Sequence, residues 1–138
     1  MTIVGFNFTS MNAEKNDTIK GKVNINNNVA IKDVKEKDLA LGSNKQKSLK
    51  FEFEFTSKYD PNMGHITLIG DILYIEEGKK IKEILDGWKK DKKLPKEITG
   101  KVLNTVLGKC NVQALILSEQ LNLPAPIPMP KVQVADQK

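Results

Sequence analysis

The sequence predicts an α+β fold: a four-stranded antiparallel sheet followed by two helices packed on one of its faces. Three observations predict it. Up to Tyr74, apolar and polar residues alternate at period two. After Glu77 the apolar residues recur at helical spacing, and from Leu123 onward prolines forbid a helix. Alternation at period two is what a strand writes when one face is buried and the other is wet, which antiparallel sheets allow.

The first strand is read from Val4, Phe6 and Phe8 on one face, with Asn7 and Thr9 on the other. The second is read from Ile19, Gly21, Val23 and Ile25, alternating with Lys20, Lys22, Asn24 and Asn26. Asn26-Asn27-Asn28 breaks this run and Val29 and Ile31 resume it, predicting a bulge or bend. Residues 33–47 are polar and charged apart from a few residues such as Leu39 and Leu41, so a long, mobile loop is expected. Leu49, Phe51, Phe53 and Phe55 mark the third strand, and Ile66, Leu68, Gly70, Ile72 and Tyr74 the fourth. Asp60-Pro61-Asn62-Met63-Gly64 joins them as a tight turn, with Pro presetting φ and Gly closing it. Tyr59, beside that turn, is free to be exposed.

Ile81, Ile84, Leu85 and Trp88 form the stripe of an amphipathic helix, and Lys89, Lys90, Lys92 and Lys93 follow its end, where cations complement the macrodipole. Pro95 suits the first turn of a second helix. The apolar set of that helix, from Ile98 through Val102, Val106, Cys110 and Ala114 to Leu121, is wider than one sheet face needs, which predicts a second packing partner. Gly100 and Gly108 inside it mark close approach to another backbone. The end, Leu123-Pro124-Ala125-Pro126-Ile127-Pro128-Met129-Pro130, is expected to run extended with its apolar side chains free to dock. Residues 1–131 are read as a single domain and 132–138 as a flexible tail.

A chain of 138 residues, 39% hydrophobic, is of single-domain size and can build a core without staples. Its single cysteine cannot form an internal disulfide. No apolar run reaches the roughly 18 residues of a membrane span, so membrane insertion is not expected. Met1-Thr2-Ile3-Val4-Gly5-Phe6 lacks a basic start and a cleavage site, and the expected location is the cytoplasm. Net charge is +5, yet every basic residue is lysine. Without the bidentate fork of arginine, nucleic acid is a disfavoured partner.

A search for chemistry returns no catalytic residue, no metal site and no cofactor. His65 is the one histidine, so any His-dependent nucleophile would have to use it, and Cys110 sits in a helical stripe as a structural thiol. Gly21, Gly78, Gly100 and Gly108 each precede a lysine, but no Ser or Thr follows and no Gly-rich loop precedes them, so there is no P-loop. Glu52 and Glu54 read as a solvated ladder with Lys50, and Glu76-Glu77 as helix N-terminal charge.

The order of four strands, a helix, a longer helix and an extended Leu-Pro end resembles the SecB-like export chaperones. The resemblance covers about Ile3 to Val132. It is carried chiefly by Gln120-Leu121-Asn122-Leu123-Pro124-Ala125-Pro126-Ile127-Pro128-Met129, with Phe6-Asn7-Phe8 then Ala13-Glu14 at the opening. It implies a non-enzymatic, ATP-independent holdase. Such proteins assemble as tetramers, dimers of dimers, and bind unfolded or preprotein clients in apolar grooves. A homodimer or homotetramer is therefore expected. The implied client-binding residues are Phe6, Phe8, Leu123, Ile127 and Met129. The chain departs from the export members in being basic and in lacking their Cys/His zinc tail. Two other readings stand beside this one: a nucleic-acid module using Lys20, Lys22, Lys89, Lys90, Lys92 and Lys93, or a non-catalytic subunit of a larger assembly.

Overall fold

The computed structural model describes residues 2–16, 21–41 and 44–128. Ile19, Lys20, Met129 and the expected tail 132–138 lie outside them. The elements are β1 (Thr2–Lys15), β2 (Asn24–Leu41), β3 (Asn44–Asp60), β4 (Gly64–Ile75), α1 (Gly78–Asp91) and α2 (Lys96–Gln120). The strands form one antiparallel sheet in the order β1-β4-β3-β2, so the two strands that carry most of the buried side chains are central.

Their alternation decides the core. Phe51, Phe53, Phe55 and Tyr59 of β3 are fully buried, as are Ile66, Leu68 and Ile72 of β4. Lys50, Glu52 and Glu54 point the other way, where Lys50 and Lys35 pair with Glu52 at 4.0 and 3.4 Å. Partly exposed pairs of this kind add little stability. The helices cover the apolar face. α1 contributes Ile81, Ile84 and Trp88, and α2 contributes Ile98, Val102, Val106, Cys110 and Ala114. A four-residue step exceeds one helical turn by about 40°. The buried ladder of α2 therefore winds around the helix as it crosses the twisted sheet.

The β3–β4 turn is where it is expected, but its left-handed residue is Asn62 (φ 46°). Gly64 is required for a different reason. A Cβ there would meet the Glu14 carbonyl at 2.5 Å. At Gly70 a Cβ would collide with the Asn7 carbonyl and with the Phe53 ring.

Four expectations are corrected. Residues 33–47 are not a loop, since β2 runs to Leu41 and β3 begins at Asn44. This hairpin extends past Ser48, where pairing with β4 stops at Ile75. Both faces of the extension meet water, so its sequence carries no apolar alternation although its backbone is laddered. Second, β2 is continuous through Asn26-Asn27-Asn28, and its bulge lies between Ile31 and Asp33. Third, Tyr59 is wholly buried. Fourth, Gly100 and Gly108 face open space in this chain.

Phe53→Ala removes the ring that fills the space above Gly70. It should cost about 3–5 kcal/mol in urea unfolding at equilibrium. A loss below about 1 kcal/mol would mean that the ring is not packed as described.

Candidate functional site

The surfaces able to take a ligand lie where the two helices fail to cover the sheet completely. The first follows from how α2 ends. Asn122 adopts the left-handed conformation (φ 56°). The Leu123 N–H then reaches back to the Ser118 carbonyl at 2.8 Å and the Asn122 N–H to Glu119 at 3.2 Å. This is a Schellman closure, and it turns the following apolar residue onto the core. Leu123 is accordingly 6% exposed.

Prolines keep the next residues extended, and they cross the sheet from β4 toward β2. The Tyr59 hydroxyl donates to the Pro124 carbonyl at 2.6 Å, and the Asn27 amide donates to the Pro126 carbonyl at 2.7 Å. Ser57 holds Asn27 by donating to its side-chain oxygen at 2.6 Å. Burial pushes the Tyr59 phenol up to about 12, so it remains a donor through the neutral range. Ile127, at the end of this track, is half-buried. An open cleft of about 560 Å³ runs beside it, lined by Leu115, Leu123, Pro124 and Ala125 among others.

Phe6 and Phe8 occupy the other end of the same face. Their rings meet edge-on at 4.9 Å, and Phe6 stacks on Phe53 at 5.2 Å. Both are half-buried. Phe8 pairs with Gly70 on β4, whereas Leu123 sits against Gly64. At ~3.3 Å per residue these places are about 20 Å apart. The structure thus brings Phe6 and Phe8 together and seats Leu123 elsewhere along the strand.

A third surface was not marked in the sequence. Between edge strand β2 and the helices lies an open cleft of about 480 Å³, walled by Ile31, Trp88, Leu94 and Leu103. Lys92 ends α1 in the left-handed conformation (φ 58°), and its ammonium lies 5.2 Å from the Trp88 ring centroid. Lys32 is on the opposite lip. The Trp88 N–H is buried and has no hydrogen-bond partner of its own. Nearby on β2, the Val34 N–H first and then the Lys35 ammonium hold the Asp33 carboxyl below its usual value. Leu103 lies between the buried positions Val102 and Val106, and its place off the core ladder was the available signal.

Burial pushes the Cys110 thiol up to about 12, which leaves it inert. Among the described residues no three metal-ligating side chains cluster, and no helix is long and apolar enough to cross a membrane. Lys22, Lys89, Lys90, Lys92 and Lys93 are all exposed.

A single antiparallel sheet, two covering helices and an extended end laid back across the strands define a SecB-like fold. Among solved structures the chain is similar to the SecB-like chaperone Rv1957 of Mycobacterium tuberculosis, determined with a ChAD peptide from the Rv1956 HigA1 antitoxin. The match has a TM-score of 0.53 at 8% identity and covers 96% of this chain and 89% of that one. No family model matches the sequence, and no curated protein matches it.

Tyr59→Phe should cost about 1–2 kcal/mol, because the Pro124 carbonyl loses its partner. Hydrogen exchange at the N–H groups of Leu123, Ala125 and Ile127 should accelerate while the sheet core keeps its protection. Unchanged exchange there would show that this bond does not hold the segment.

Proposed function

We propose that this protein is an ATP-independent holdase that binds unfolded polypeptide segments in the cytoplasm. The observation that carries the proposal is the open apolar cleft of Ile31, Trp88, Leu94 and Leu103 beside an edge strand, set in a SecB-like fold. An extended chain can lie along such a cleft, and apolar walls accept many side chains. The similar M. tuberculosis chaperone was determined with a peptide bound, which favours a polypeptide as the occupant here. The half-buried Phe6-Phe8 pair and the Leu123–Ile127 track are proposed as further contacts for a long client, as is Met129, which lies outside the described residues. No P-loop is present in the sequence, so binding is expected to proceed without nucleotide.

The proposal includes assembly as a homodimer or homotetramer. Val112 and Ile116 lie on the outer side of α2, 59% and 45% exposed, one and two helical turns beyond Gly108. Val4 and Met11 are likewise exposed along edge strand β1. A second subunit would cover such surfaces, and the bare Gly108 would let its backbone come close.

Two outcomes are expected. Light scattering at micromolar concentration should give a mass of two or four subunits, and Val112→Lys with Ile116→Lys should lower it. A monomer throughout that range excludes the assembly. In turbidity assays, a several-fold molar excess should suppress aggregation of a slowly refolding client, without ATP and at high salt. Phosphate-directed binding would instead weaken steeply with salt. Leu103→Asp should reduce protection while leaving the circular dichroism spectrum intact. No protection by the native protein excludes the holdase reading. Full protection by a folded Leu103→Asp protein moves the client site to another surface.

A further inference from the structure

The cleft beside β2 differs from its neighbours in charge. Lys32 and Lys92 stand among its lining residues, and no carboxylate does. The cleft beside the Leu123–Ile127 track includes Glu119. A cavity of about 340 Å³ where β4 ends, beside Tyr74, mixes Glu76, Glu83 and Glu97 with Lys80 and Lys101. Between the β2–β3 hairpin and α1, another cavity sets Glu36 and Asp86 against Lys47, Lys82 and Lys89.

The backbone brings both lysines to this cleft. The ladder between β2 and β3 passes from Ile31–Phe53 to Asp33–Glu52, so Lys32 is the extra residue of the bulge and faces no partner on β3. A bulge re-aims the side chain that it carries. Lys92 caps α1 in the left-handed conformation. Its N–H donates to the Trp88 carbonyl at 3.0 Å, and its ammonium lies 5.2 Å from the Trp88 ring centroid. Both lysines are exposed, and among the described residues no carboxylate oxygen lies within 4.0 Å of either ammonium. Asp33, next along β2, is already engaged. Its Oδ1 accepts from the Val34 N–H at 2.9 Å, and its Oδ2 lies 3.6 Å from the Lys35 ammonium. Ile31, Leu94 and Leu103 in the walls are half-buried. A wholly apolar occupant would strip water from two unpaired ammonium groups, a cost that a carboxylate would offset.

We propose that this cleft takes a polypeptide segment in which an aspartate or glutamate stands next to large apolar residues. The apolar side chains would lie against Ile31, Leu94 and Leu103, and the carboxylate would meet the lysines at the rim. This rests on the polypeptide-binding reading and adds a preference for acidic flanks to it. A fatty acid carries the same two chemistries, but it offers no backbone to the edge of β2.

The test uses two short capped peptides, identical except for one glutamate or glutamine between leucines, titrated calorimetrically into the full-length protein. At low salt the glutamate peptide should bind about fivefold more tightly, the scale of two partly exposed ion pairs. High salt should shrink that ratio while leaving the apolar part of the binding. Lys32→Gln with Lys92→Gln should bring the ratio close to one. Lys89→Gln with Lys90→Gln removes the same charge outside the cleft and should leave the ratio unchanged. Should the first pair not fold, Lys32→Gln alone replaces it and should still lower the ratio. Equal affinity for both peptides overturns the proposal, and so does an equal loss in the two double variants, which would assign the preference to net charge. Octanoate binding as tightly as the glutamate peptide overturns the polypeptide as occupant. If neither peptide binds, the proposal is overturned, while the turbidity assay judges the holdase reading separately.

Discussion

The structure depends on burying one dense apolar face. β3 and β4 place three phenylalanines, two tyrosines and several aliphatic side chains on the same side of the sheet. A sheet cannot bury its own face, so covering it is the condition for folding at all. Gly70 makes the tightest point possible. The Phe53 ring and the β1 backbone both occupy the space that a side chain there would need. Around this point Phe6 and Phe8 close one side, and β1 is fixed to β4 despite its two bulges.

Two helices do not cover this face completely, and the candidate sites arise from the shortfall. α1 is short and ends at the left-handed Lys92, which leaves Trp88 walling a cleft beside β2. α2 is long but winds its buried ladder around itself, so Val112 and Ile116 face away from the core. Beyond α2 the prolines prevent a third helix, and the chain covers the far end of β3 as an extended strap. Polar anchors hold that strap. Tyr59 and Asn27 each satisfy a backbone carbonyl that regular structure would otherwise have paired.

Charge is distributed unevenly over these surfaces. The cleft beside β2 carries Lys32 and Lys92, whereas the cavity where β4 ends mixes Glu76, Glu83 and Glu97 with Lys80 and Lys101.

Sequence alone determined the order of four strands and two helices and the inward face of each central strand. Burial on one face writes itself as alternation, and the helical stripe likewise records burial. The Leu-Pro end was legible because proline removes the helical option outright. Residues 33–47 were misread for the same reason in reverse: a ribbon wet on both faces has backbone pairing but no burial pattern. Tyr59 could not be placed, since its partner Pro124 is remote in sequence. The cleft of Ile31, Trp88, Leu94 and Leu103 and the cavity of Tyr74, Glu76 and Glu97 were likewise beyond local pattern. Each joins a strand to both helices. Periodicity tells which side of an element is buried, but only the tertiary structure decides where two buried sides fall short of meeting.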